Sequence, residues 1–249
     1  MSDSVIKIER LSNGVAIARF NNPSQLNALS EQIGNVFERK IHELKGDDSL
    51  RAVVLTGEGK GFSAGGDLEF LHSRSKTSSS DNARIMRRFY ERFLTIRQLP
   101  VPTIAAINGH AVGAGFAICF ACDIRLAAED AKMGFNFVRI GIPPGMGSSY
   151  LVPAVVGRQV AARMLLTGDL VSAKEALAYG MVLSVHPKEN VLTEALKLAE
   201  RIASASPLAV RETTKTLRMV GLCLHFSFFL PSSDPFICHS NSTTRWKVH

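Results

Sequence analysis

Apolar and polar positions alternate along residues 5–9 (VIKIE) and again along residues 15–20 (VAIARF), with Ser12, Asn13 and Gly14 between them. Period two on both sides of an Asn-Gly turn predicts a β-hairpin. The period then lengthens. From Ser30 to about residue 44, Ile33, Val36, Phe37, Ile41 and Leu44 recur at three- and four-residue steps, which marks one face of a helix that Ser30 is placed to cap. Residues 52–56 (AVVLT) predict a short buried strand ending at Gly57. Residues 73–80 are polar and serine-rich and predict a mobile loop. A helix is expected over 82–97, stopped by Pro100 and Pro102. A strand over 103–107 (TIAAI) follows, then a helix from near Gly113 to about Ala121 and a strand over 124–128. The segment PPGMG (143–147) breaks the chain before a helix expected to be capped by Ser148 or Ser149. Ser172 with Glu175 has the spacing of a capping box, and Ser206-Pro207 opens the last expected helix. Strands alternating with helices predict an α/β fold.

Two of the strands run into glycine-rich segments. The first is GFSAGGD (61–67) and the second NGHAVGAG (108–115). Small residues let a ligand approach the backbone, and the amides that open a helix are unpaired and lie at the positive end of its dipole. Two such loops facing one point would supply a pair of donors for a developing oxyanion. Neither loop has the G-x-x-x-x-G-K-[ST] spacing of a phosphate-binding loop, and Gly109, Gly113 and Gly115 lack the G-x-G-x-x-G spacing of a dinucleotide fold. Asp67 is expected to act as a helix N-cap.

Composition narrows the picture. The chain has 249 residues, 46% hydrophobic and 20% charged, which suits one compact unit with a small appendage. No apolar run reaches the ~18–20 residues of a membrane span, and the opening residues do not resemble a signal peptide. Lys and Arg exceed Asp and Glu by 29 − 22 = +7. That surplus suits a polyanionic ligand such as a nucleotide or phosphorylated cofactor, or a generally basic surface. Cys119 and Cys122 form a C-x-x-C without a second ligand pair and within an apolar stretch, so they are expected as buried, reduced thiols rather than a zinc or redox site. No metal site is expected. Residues 222–249 differ from the rest. Asp234, Arg245 and Lys247 are their only charges, yet they hold the only Trp. The chain is therefore divided into a domain over 1–221 and an atypical tail over 222–249.

Six segments resemble the crotonase superfamily, the enoyl-CoA hydratase/isomerase fold: NNPSQLNAL (21–29), 61–68, 102–115, Cys122-Asp123-Ile124, 141–147 and LTGDLVSAKEA (166–176). They follow the family's order and spacing from about Val5 to Met219. The resemblance implies a crotonase-like spiral of repeated ββα units and a homo-trimer or a hexamer built as a dimer of trimers. It implies an acyl-CoA thioester substrate, with coenzyme A as part of the substrate and no separate cofactor. The thioester oxygen would sit between the backbone N–H groups of Ala64 and Ala114. Ala64, Gly65, Gly66 and Asp67 would line the CoA arm, and Gln25, Leu26 and Ala28 would meet the adenine end.

The chain departs from the family where water is added. The two glutamates that hydratases use fall at Ala117 and Phe137, and the single glutamate of the isomerase branch also falls at Phe137. Neither side chain can shuttle a proton. Enolate stabilisation without hydration would remain, and decarboxylation of a malonyl-type thioester is the chemistry least harmed. A non-catalytic acyl-CoA-binding subunit is the alternative. No acid or base is assigned. His110 is expected to stabilise a turn, Asp123 to hold backbone and Ser149 to cap a helix. Asn136 is near the second glutamate position, and Arg139 would meet an acidic acyl group or water. The family's closing amphipathic helices have no counterpart after about Gly221, so the C-terminal helices look truncated and weakened assembly is expected. Arg39, Lys40 and Lys45 alternate with Glu38, Glu43 and Asp47, a solvated mixed-charge face rather than a nucleic-acid surface. The final residues lack a Ser-Lys-Leu peroxisomal signal, and cytoplasm is the expected location.

Overall fold

The structure, a computed structural model, describes residues 3–74 and 77–226. Strand β1 (Ile6–Arg10) and strand β2 (Val15–Phe20) form the expected hairpin, with Ile6 opposite Phe20. Helix α1 (Glu31–Lys45) begins at Ser30, whose side chain accepts from Ile33 N–H, and buries the face foreseen from its periodicity. Strands β3 (Ala52–Gly57) and β4 (Gly61–Ser63) lead to helices α2 (Leu68–Arg74) and α3 (Ser79–Leu94). Strands β5 (Thr103–Ile107) and β6 (His110–Val112) lead to α4 (Ala114–Ala121). Strands β7 (Ile124–Ala128) and β8 (Lys132–Gly134) lead to α5 (Ser148–Thr167). Then come β9 (Leu170–Ser172), α6 (Ala173–Ala178), β10 (Ser184–His186), α7 (Val191–Ala203) and α8 (Pro207–Phe226).

The three strand–strand–helix units are turns of a spiral. The first strand of each turn joins a six-stranded sheet of order β1-β2-β3-β5-β7-β10, parallel from β2 onward. The second joins a four-stranded sheet of order β4-β6-β8-β9. Every residue of β3 and β5 is buried, as continuous apolar runs in a parallel sheet require. Between the sheet and α1 and α3, Phe20, Phe37, Phe93 and Phe89 form a chain of ring contacts 5.2–5.7 Å between centroids. Each such ring contributes about 1.5–3 kcal/mol on burial.

Four expectations need correction. Residues 73–80 are not one loop. Helix α2 runs to Arg74 and α3 starts at Ser79, where Ser78 accepts from Asp81 N–H. The serines cap a helix there, which composition alone does not separate from a loop. Helix α3 ends at Leu94 and a 3-10 turn takes Thr95–Gln98. Helix α5 is capped neither by Ser148 nor by Ser149. Gly147 is its N-cap, and Ser148 lies inside the first turn with its hydroxyl donating to Gly145 O (2.6 Å). The division at 221 falls within α8, which continues to Phe226. The remainder of the tail, 227–249, lies outside the described residues.

Candidate active site

The first glycine-rich segment leaves β4 and lies beside the chain that enters α1. Ala64 N–H donates to Leu26 O (2.9 Å), Leu29 N–H donates to Gly65 O (2.7 Å), and Asp67 N–H donates to Leu29 O (2.9 Å). Gly65 N–H turns inward to Ser63 Oγ (3.2 Å). The Gly66 N–H, between them, has no partner among the described residues. Gly65 has φ +94°, and a Cβ there would stand 2.6 Å from Val112 O, so the position requires glycine twice over. The carboxylate of Asp67 accepts from Phe70 N–H (2.8 Å), the N-cap role expected of it.

The second segment forms β6 and the start of α4. Gly113 N–H donates to Gly134 O (2.8 Å), and Gly113 O accepts from Phe116 and Ala117 N–H. Ala114 N–H is a first-turn amide with no partner among the described residues. The two segments meet. The Cβ position on Gly65 is 3.6 Å from Ala114 N. Ala64, Gly65, Gly66 and Ala114 open on one narrow cleft of about 70 Å³. Leu71 from α2, Met86 and Phe89 from α3, and Ile142 build its apolar wall. Tyr90, Gly113, Asn136, Phe137 and Ile140 complete it, and among the described residues no acidic, basic or histidine side chain lines it.

This geometry changes the expected donor. Ala64 lines the cleft, but its N–H is committed to Leu26 O, so it is not an available oxyanion donor. The amide left free on the same loop is that of Gly66. The sequence showed a run of small residues but not which of their amides the neighbouring chain would occupy.

Other expected residues fall as follows. Leu26 is 53% exposed, with φ 49°. Ala28 N–H donates to Gln25 O (3.0 Å), and Gln25 Oε1 accepts from Asn22 Nδ2 (2.7 Å). Of the three, Leu26 braces the first loop through its carbonyl, and none is part of the cleft wall. Between them Asn27, which sequence reading passed over, is fully buried and donates to Glu58 O and Gly61 O (both 3.0 Å). Phe137 lines the cleft at 3% exposure, whereas Ala117 is wholly buried in α4 and is not part of the cleft wall. His110 Nδ1 accepts from Lys132 N–H (3.0 Å), which ties β6 to the start of β8. Arg139 donates to Thr167 O (3.0 Å) and pairs with Asp169, so its charge is used away from the cleft. Ser149 is exposed on the first turn of α5. Asp123 accepts from Thr103 N–H and Oγ1 (both 2.8 Å), the backbone role expected, and adds an ion pair with Arg218 (2.6 Å) that no local pattern announced. Cys119 and Cys122 are buried and unbridged, and burial pushes both thiols up, Cys122 to about 12. No group of three or more potential metal ligands occurs among the described residues.

Tyr90 was not foreseen. It lies on α3 after the serine-rich segment, in a run whose amphipathic pattern marks core contact and not a site. Burial pushes its hydroxyl up to about 12, so it is a neutral phenol at any physiological pH. Its hydroxyl fills the space beside Gly145, where a Cβ would run into it.

Residues 10–220 match the family described as enoyl-CoA hydratase/isomerase. A putative enoyl-CoA hydratase of Thermus thermophilus is 39% identical over 217 residues, 87% of this chain and 85% of that protein. The (E)-benzylidenesuccinyl-CoA hydratase of Thauera aromatica is 36% identical over 212 residues, 85% of this chain and 81% of that protein. Among solved structures, the enoyl-CoA hydratase of Bacillus anthracis superposes with a TM-score of 0.80 at 31% identity, covering 90% of this chain and 88% of that one. Pseudomonas aeruginosa DspI superposes at 0.81 and 34% identity, covering 91% of each. With the spiral of strand–strand–helix turns and the paired glycine-rich loops, these matches settle the affiliation: the chain belongs to the enoyl-CoA hydratase/isomerase family, with the crotonase fold.

Proposed function

We propose that the cleft binds an acyl-CoA thioester and stabilises its enolate, the thioester oxygen accepting from the N–H groups of Gly66 and Ala114. The observation that carries this reading is that both amides lack a partner among the described residues and that Gly66 and Ala114 line the same cleft. Preorganised main-chain donors of this kind contribute about 2.7–4 kcal/mol each to stabilising developing charge. The basic surplus of the chain suits the phosphates of coenzyme A. Assembly as a trimer or hexamer accompanies this reading, and light scattering after size exclusion measures it.

Hydration is not the reaction this cleft is built for. Phe137 occupies the wall where the resemblance puts a glutamate, and no carboxylate among the described residues replaces it. A reaction that reaches the enolate without taking a proton from carbon needs only the donors, and loss of carbon dioxide from a malonyl-type thioester is such a reaction. Among the described residues the cleft wall holds no carboxylate, amine or imidazole, which equally supports a non-catalytic acyl-CoA-binding role. Turnover on enoyl-, malonyl- and saturated acyl-CoA thioesters separates the two. Product from a malonyl-type thioester with slow hydration of crotonyl-CoA supports catalysis. Tight binding with no product across the panel supports the binding role. Failure of every thioester to bind refutes both.

A further inference from the structure

A groove of about 490 Å³ shares no lining residue with the cleft. One of its walls is a face of α8, where Arg211, Thr214, Lys215 and Arg218 recur at three- and four-residue steps. The other is the chain from Arg97 to Pro100 that leads into β5. Arg218 fastens the two walls, donating to Arg97 O (3.0 Å) and Leu99 O (2.7 Å). The groove is lined by four cations and, among the described residues, by one carboxylate, that of Glu212. Pairing accounts for two of the cations. Arg218 is neutralised by Asp123 (2.6 Å), and Lys215 faces Glu212 at 3.8 Å. Arg97 and Arg211 make no ion pair among the described residues, and the Arg97 guanidinium has no hydrogen-bond partner among them either. Arg211 is held in place by its bonds to Asp48 O (3.0 Å) and Leu50 O (3.4 Å), yet its Nε–H is buried without a partner. Two guanidinium charges on facing walls are therefore uncompensated, and a concave surface focuses their field. The planar fork of a guanidinium matches the oxygens of a phosphate group. The volume lies within the ~300–1,000 Å³ of small-molecule sites. No aromatic side chain lines the groove, so it offers nothing for a base to stack on, and recognition falls to the phosphates.

We propose that this groove is a binding site for a small diphosphate-bearing molecule, separate from the thioester cleft, with Arg97 and Arg211 donating to its phosphate oxygens from facing walls. The site does not rest on the acyl-thioester reading. The test is calorimetric titration of the full chain with inorganic pyrophosphate at constant ionic strength, with sodium sulfate as the control anion. The expected result is saturable binding of pyrophosphate that sulfate does not match and that persists with butyryl-CoA present in excess. R97Q is expected to weaken that binding by about tenfold or more, the size of one charge-assisted hydrogen bond. E212Q removes the only carboxylate that lines the groove among the described residues, and is expected to tighten binding by about threefold. A folding defect would not produce that gain. No saturable binding, equal binding of sulfate, or an affinity that R97Q does not weaken or E212Q does not tighten overturns the site. Loss of the pyrophosphate signal in excess butyryl-CoA also overturns it, because the anion would then be occupying the thioester's own site. Failure of butyryl-CoA to bind, beside pyrophosphate binding that R97Q weakens, removes the acyl-thioester reading and leaves the diphosphate site standing.

Discussion

A single main-chain N–H is the smallest unit on which the proposed chemistry depends, and it can be removed without removing a side chain. Ala114 is the first residue of α4, where proline is tolerated because the amide makes no helical bond. A114P is expected to lower kcat by about 10²–10³-fold on whichever thioester turns over, with a melting temperature close to the parent's. Steady-state kinetics paired with thermal unfolding checks this, and unaltered kcat would remove Ala114 from the site. Ala117 sits one helical turn further on, fully buried among the apolar residues of α4. Restoring a glutamate there puts a carboxylate into a packed core, so A117E is expected to lose several kcal/mol in urea unfolding. F137E places its carboxylate at the cleft wall and is expected to cost less. The two thiols are read at the same scale. Burial holds Cys119 and Cys122 protonated, so mass-spectrometric mapping is expected to find neither alkylated by iodoacetamide at pH 8 until the protein is unfolded.

At the scale of elements, the ion pair of Asp123 with Arg218 joins the residue before β7 to α8. Arg218 also donates to the carbonyl oxygens of Arg97, Leu99 and Val101, so one guanidinium fastens the last described helix to the entry of β5. Burial alone would raise the Asp123 carboxyl, but the Arg218 hydrogen bonds and charge, with the Thr103 donors, outweigh it and hold it below the ordinary range. A depressed folded value means the contribution is complete above the unfolded value, near 3.9, and is lost as pH falls through the folded one. Unfolding free energy is therefore expected to fall steadily below about pH 4 in the parent. D123A should be less stable by about 3 kcal/mol at pH 7, the low end for a buried pair because the two side chains keep 21% and 12% exposure. Its stability should also decline less with acid over the same interval. Chemical denaturation at several pH values measures both.

Elements also show where local pattern sufficed. Helix α1, with a cap and five apolar residues in phase, was legible at both ends, as were the capping box of α6 and the five- and six-residue strands of the large sheet. The strands of the small sheet were not. Residues 61–63, 110–112 and 132–134 are too short to display a period and too small to display a propensity. They become strands because the spiral lays each beside its neighbour. Helix α7 was missed although its pattern is legible: Val191, Ala195 and Ala199 are buried on one face, with Leu192, Leu196 and Ile202 packed beside them.

For the whole molecule, sequence determined the order of the longer strands and most of the helices, the α/β class and the two glycine-rich loops. Each of these rests on contacts within a few residues: caps, turns, and apolar periods of two or 3.6. Tertiary structure decided which amide is free. Leu26 and Leu29, from the segment before α1, lie against the first loop and occupy its other hydrogen-bonding groups, leaving Gly66. It decided equally that Phe137 borders the cleft while Ala117 does not, and that Tyr90, from a helix outside both loops, joins its wall. Hydrogen bonds between strands and the direction a side chain takes from a packed helix depend on what the spiral brings alongside, and no local pattern carries that.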